Sequence, residues 1–129
     1  MQMLNTSGYQ AYQRNKYETA SPHRLVLLLY EGAITNLHLA KKALDALQYL
    51  EMNKKIQKTQ EIICELMACL NEEQGGEIAE NLKRLYLYMN DRLLVANLMK
   101  QGTTMEEVEG LLRELKASWE QIGKEVSLG

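Results

Sequence analysis

The chain has 129 residues, a length that suits one domain with a single core and is short for two. Apolar residues make up 46% and charged residues 25%, with one Pro, one Trp and no Phe, a composition that excludes a disordered or fibrous chain. The formal net charge of -2 supplies no cationic footprint for phosphates, so nucleic acid is not an expected partner.

No apolar run approaches the roughly 18 residues that a membrane-spanning helix needs. The opening Met1-Gln2-Met3-Leu4-Asn5 lacks the basic-then-apolar order of a signal peptide, so a cytoplasmic location without membrane insertion is expected. Cys64 and Cys69, five apart on one helix, point away from each other and cannot pair within it; reduced packing residues are expected.

In chain order, residues 1–20 carry Tyr9, Tyr12 and Tyr17 among Gln, Asn, Ser and Gly without a clear period, and read as a flexible N-terminal arm. Ser21-Pro22 then opens the first helix, because Ser caps well and Pro lacks an N–H that would be unpaired at the first position. That helix runs over about 22–47. The next stretch has no strong breaker, but the apolar phase restarts with Ile56, Ile63, Met67 and Leu70, placing a second helix over about 53–71.

Gln74-Gly75-Gly76 reads as a loop, and a third helix follows over about 77–100 with Glu77 at its positive end. Gly102 suits a left-handed cap, Thr104 and Glu107 have capping-box spacing, and a fourth helix is expected over about 105–126. Four such helices joined by short loops give an all-α fold: an antiparallel up-down four-helix bundle over 21–129, preceded by the arm.

The second and fourth helices each carry one apolar stripe. The first does not: Leu25, Val26, Leu28, Leu29, Tyr30, Ala33, Leu37, Leu39, Ala40, Ala43, Leu44 and Leu47 cover about 200°, roughly twice the usual width, and Leu27 and Ile34 interrupt its polar side. On the third helix Ile78, Leu82, Leu85, Tyr86, Met89, Leu93 and Ala96 form a core stripe, while Leu87, Leu94 and Leu98 recur on the other side at i, i+7 and i+11. The surplus marks a docking or self-association surface whose candidate residues are Leu27, Tyr30, Ile34, Leu87, Leu94, Val95 and Leu98, and a groove for a partner's amphipathic helix is its natural physical form.

The residues of catalysis are missing. The positions three before His23 and His38 are Ala20 and Thr35, so the Glu-x-x-His pairs of a di-metal bundle do not occur, and both histidines read as solvated. There is no glycine-rich phosphate loop, no Gly-x-Ser-x-Gly and no Cys with a plausible His partner. A non-enzymatic protein without metal or cofactor is expected.

An ordered set of short matches runs from about Tyr9 to Val126: Ala11-Tyr12-Gln13, Thr19-Ala20-Ser21-Pro22, Leu29-Tyr30-Glu31-Gly32-Ala33, Gln60-Glu61-Ile62-Ile63 with Glu65-Leu66 and Leu70-Asn71, Leu85-Tyr86 with Tyr88-Met89, Arg92-Leu93, Ala96-Asn97, and Leu115 with Trp119. In these the sequence resembles the flagellar export chaperone family FliS. The resemblance implies a bundle that binds the C-terminal helical segment of flagellin in the cytoplasm without ATP. Such a chaperone prevents premature polymerisation and helps deliver its client to the export apparatus, with the cytoplasmic domain of the export gate as a further partner.

It also implies an arm that covers part of the binding surface, a role Tyr9, Tyr12 and Tyr17 suit. Position 87 departs from the family pattern, which more often has Asp where this chain has Leu87. The alternative reading is a structural bundle that pairs weakly with a second copy of itself through the same apolar faces.

Overall fold

The computed structural model describes residues 21–128, with the side chains of Glu72 and residues 123–128 outside the description; the arm and its three tyrosines also lie outside it. The described chain is four helices: α1 (Pro22–Asp45), α2 (Tyr49–Ala68), α3 (Glu72–Met99) and α4 (Gly102–Leu128).

The α1 start is as the sequence predicts. Ser21 sits in extended backbone, its Oγ accepts the Arg24 N–H at 3.1 Å, and Pro22 follows at the first helical position. Its end is not legible in the same way. Leu47, a bulky residue, adopts the left-handed conformation at φ 59°, letting its N–H donate to the Leu44 carbonyl at 2.9 Å and the Gln48 N–H to the Ala43 carbonyl at 2.8 Å. This is the Schellman pattern that glycine usually closes, and it starts α2 four residues earlier than expected.

At the second turn the chain reverses at Leu70-Asn71, and the Asn71 Oδ1 caps α3 by accepting the Gln74 N–H at 3.1 Å. The predicted glycine loop is therefore corrected. Gly75 and Gly76 lie inside α3, where Gly76 breaks the helical path at φ 52° and ψ -126°. Any Cβ at Gly75 would come within 2.8 Å of the Ala79 Cβ. Ile78, assigned to the core stripe, falls just past this break at the end of the bundle and is exposed.

The third turn also differs. Lys100, not Gly102, takes the left-handed cap at φ 53°, and Gly102 is already helical. Thr104 consequently sits inside α4, buried, donating to the Gln101 Oε1 at 3.0 Å, and no capping box forms with Glu107.

Each helix packs beside its sequence neighbours, α4 closes the ring against α1, and α1 and α3 are diagonal. The pairings run antiparallel: Asn53 meets Asn97 and Gln60 meets Asn90 between α2 and α3, while Lys41 near the end of α1 meets Glu106 near the start of α4. The core fills the middle. Ala33, Leu37 and Ala40 of α1 face Ile56 and Ile63 of α2, Met89 and Leu93 of α3, and Met105, Val108 and Leu112 of α4. Burying each large apolar side chain stabilises the fold by about 1.5–3 kcal/mol.

Two isolated features complete the frame. His23, expected to be solvated, is half-buried against Trp119: the rings stack at 5.1 Å, the His23 Nε2 lies 2.8 Å from the Trp119 carbonyl oxygen, and the Trp119 Nε1 donates to the His23 carbonyl at 2.9 Å. This clasp ties the first turn of α1 to the far part of α4. Cys64 and Cys69 are free, as expected, but exposed rather than packed inside.

Candidate functional site

On α3, Tyr86, Met89, Leu93 and Ala96 recur at helical spacing on the face turned to the core, and all are buried. Its α2 edge carries Asn90 and Asn97, and its α4 edge carries Tyr88 and Arg92, which meet the Glu107 carboxylate at 2.6 and 3.0 Å. With three sides occupied, Leu87, Leu94 and Leu98 face outward: they are 48%, 53% and 69% exposed. The stripe extends about 17 Å at 1.5 Å per residue and borders the seam between α3 and α2.

Across that seam α2 contributes Leu50, 80% exposed, and the exposed Cys64. Hydrogen-bonded amides run between the two helices: Asn97 Nδ2 donates to Asn53 Oδ1 at 2.6 Å, Gln60 Nε2 to the main-chain carbonyl of Asn90 at 3.2 Å, and Asn90 Nδ2 to the main-chain carbonyl of Gln60 at 3.5 Å. The result is a shallow strip with an amide floor and a leucine wall. An amphipathic helix fits such a strip by laying i, i+3/i+4 and i+7 anchors against the leucines.

The fate of the other sequence-nominated residues divides them sharply. Leu27 and Ile34 are each 8% exposed and Tyr30 is 3% exposed, so the second face expected on α1 offers no open surface. Tyr30 and Ile34 pack into the common core of the bundle, so part of the wide α1 arc is core rather than a second surface, whereas Leu27 is buried outside that cluster. Tyr30 belongs to the core, its hydroxyl 2.5 Å from that of Tyr86 across the diagonal. Burial pushes both phenols above their usual range.

Val95 is exposed but lies one residue step, about 100°, from Leu94 toward α4, beside rather than within the stripe.

Sequence reasoning missed Leu50, Tyr49 and Met99, all exposed at the end of the bundle where α2 begins and α3 stops. The Lys100 Nζ lies 5.0 Å from the centre of the Tyr49 ring, joining the two turns there. A signal existed for Leu50, because it falls on the polar side of the α2 wheel, but a single exposed leucine is unremarkable in a sequence.

The electrostatics outside the core are those of exposed pairs. The Tyr88 hydroxyl and then the Arg92 guanidinium hold the Glu107 carboxyl below the usual carboxylate range, and the same Glu107 hydrogen bond raises the Tyr88 phenol. No three His, Cys, Asp or Glu side chains converge to hold a metal ion among the described residues, and no helix there is long and apolar enough to cross a membrane.

Comparison with known proteins gives this all-helical frame its family. Residues 5–126 match the family model described as flagellar protein FliS. The flagellar secretion chaperone FliS of Salmonella typhimurium is 40% identical over 97% of this chain and 96% of its own length. The flagellar secretion chaperone FliSB of Pseudomonas aeruginosa is 42% identical over 93% of this chain and 98% of its own, and FliS of Bacillus subtilis is 34% identical over 92% and 88%. The chain belongs to the FliS family of flagellar secretion chaperones.

Proposed function

We propose that this protein acts in the cytoplasm as a secretion chaperone for flagellin, holding the client's C-terminal helical segment, preventing premature polymerisation and passing it to the export apparatus. The observation that carries this reading is the outward stripe of Leu87, Leu94 and Leu98 beside the α2–α3 seam, an apolar surface the bundle itself leaves uncovered. A non-polymerised client helix needs cover for its own apolar face, and the stripe provides it without nucleotide or metal. The arm with Tyr9, Tyr12 and Tyr17 covers part of this surface until the client arrives, and the export gate's cytoplasmic domain receives the complex.

The test is calorimetry and co-elution with a flagellin C-terminal fragment. Binding is expected, weakened about tenfold or more by Leu94→Glu, since about 1.4 kcal/mol of lost apolar contact suffices. Absence of both heat and co-elution removes the proposal. The same stripe would suit a second copy of the chain; a mass that rises with concentration, reduced to monomer by Leu94→Glu with client binding intact, would establish self-association as its role instead.

A further inference from the structure

Resting on the client-docking reading above, we infer that Asn53, Gln60, Asn90 and Asn97 form a polar latch in the α2–α3 seam, built so that α3 parts from α2 as the client helix docks. The four amides are not scattered. Asn53 and Gln60 are seven residues apart on α2, Asn90 and Asn97 seven apart on α3, and the antiparallel pairing brings them together as two layers, Asn53 with Asn97 and Gln60 with Asn90. Seven residues are two turns, so each helix presents both amides on one half-buried edge, beside the apolar stripe that fills the core.

An apolar layer loses its whole burial energy when two helices separate. An amide layer exchanges its hydrogen bonds for equivalent ones with water or with polar groups of an incoming peptide, at little net change.

Three further observations single out α3 as the helix that moves. The Asn90 Oδ1 is buried and finds no hydrogen-bond partner among the described residues, so the closed seam carries a cost that opening relieves. Gly76 interrupts the helical path at positive φ, so the part of α3 beyond it can tilt without dragging the Asn71 cap. On its other edge α3 is tied to α4 by Tyr88, Arg92 and Glu107, which are solvent-exposed and partly screened. By contrast α1 has its broad apolar face against α2 and the His23–Trp119 clasp to α4. The leucine stripe borders the seam that opens, so docking and opening act on one strip.

The test pairs hydrogen exchange with a stabilised latch. In the full-length protein alone, amides of residues 86–99 should exchange through an opening that leaves residues 29–43 of α1 protected, with rates about tenfold or more apart. Equal protection of the two helices, one cooperative unit, overturns the latch whether or not any client binds. The second arm replaces one layer with leucines, Asn53→Leu with Asn97→Leu. The melting temperature should rise, α3 exchange should slow, and binding of the flagellin C-terminal fragment should weaken about tenfold. A higher melting temperature with unchanged affinity overturns the latch while leaving the docking reading intact. If the leucine pair fails to fold, exchange in the unmodified protein still decides. A wild-type chain that shows the α3 opening yet binds no fragment refutes the docking reading and with it the role of the latch in docking.

Discussion

The hydroxyl pair Tyr30–Tyr86 makes the sharpest energetic test of the bundle. The two oxygens lie 2.5 Å apart in the core, each ring almost fully buried. Replacing Tyr30 with Phe removes one partner and leaves the other hydroxyl buried and unpaired, which costs about 1–3 kcal/mol; Tyr86→Phe should cost a similar amount for the same reason. The double replacement removes both polar groups and keeps both rings, so its cost should fall well below the sum of the two, near zero.

Urea unfolding followed by helical circular dichroism measures all three, and the coupling in the cycle should be about 1–3 kcal/mol. Alkaline pH supplies a second reading. The folded phenols titrate above the unfolded value of about 10, so stability present below that pH declines as pH rises past it, by about 1.4 kcal/mol per pH unit for each buried tyrosine. The double variant should lose that part of the slope. Additive single effects, or an unchanged alkaline slope, would refute the account of the pair.

Leu47→Gly should stabilise the protein by about 0.5–1 kcal/mol, because a non-glycine left-handed residue carries roughly 1–2 kcal/mol of strain and glycine's greater unfolded-state entropy offsets only part of it; a thermal melt that falls would show that Leu47 makes a compensating contact. His23→Ala should lower stability by about 1–2 kcal/mol and shift the emission of Trp119, the only tryptophan, to the red as its stacked neighbour leaves. An unmoved spectrum would mean the clasp is not formed in solution.

Lowering the pH through the depressed Glu107 titration should loosen the α3–α4 edge, since a carboxyl held below its usual range contributes stability that is lost on protonation. Comparison with Glu107→Gln by hydrogen exchange along residues 88–92 checks this, because the variant should be flat where the parent changes. Deleting residues 1–18 should raise client affinity or the binding of a hydrophobic dye if the arm acts as a cover, and no change in either would remove that role.

Much of this was legible in the residues. Ser21-Pro22 announces the start of α1, period-3.6 stripes give four helices, short connections make neighbours antiparallel, and Leu87, Leu94 and Leu98 stand out as a surplus. What failed follows one rule. Turn positions went wrong where Leu47 and Lys100 adopted left-handed backbone that their side chains do not advertise, and where the expected glycine loop was absorbed into α3. The α1 residues Leu27, Tyr30 and Ile34 look on a wheel like the α3 surplus, yet they are buried and the α3 leucines are not.

A periodic pattern records which sides of a helix are apolar, and that is local chemistry the sequence determines by itself. Which of those sides is covered depends on how segments distant in sequence pack together, and that only the tertiary structure decided. It buried Leu27, Tyr30 and Ile34 of α1, left the leucine stripe of α3 outward and brought two pairs of amides, each seven residues apart on its own helix, into one seam. Pairing of that kind depends on register between segments roughly 30 to 44 residues apart, which no single helix's periodicity contains.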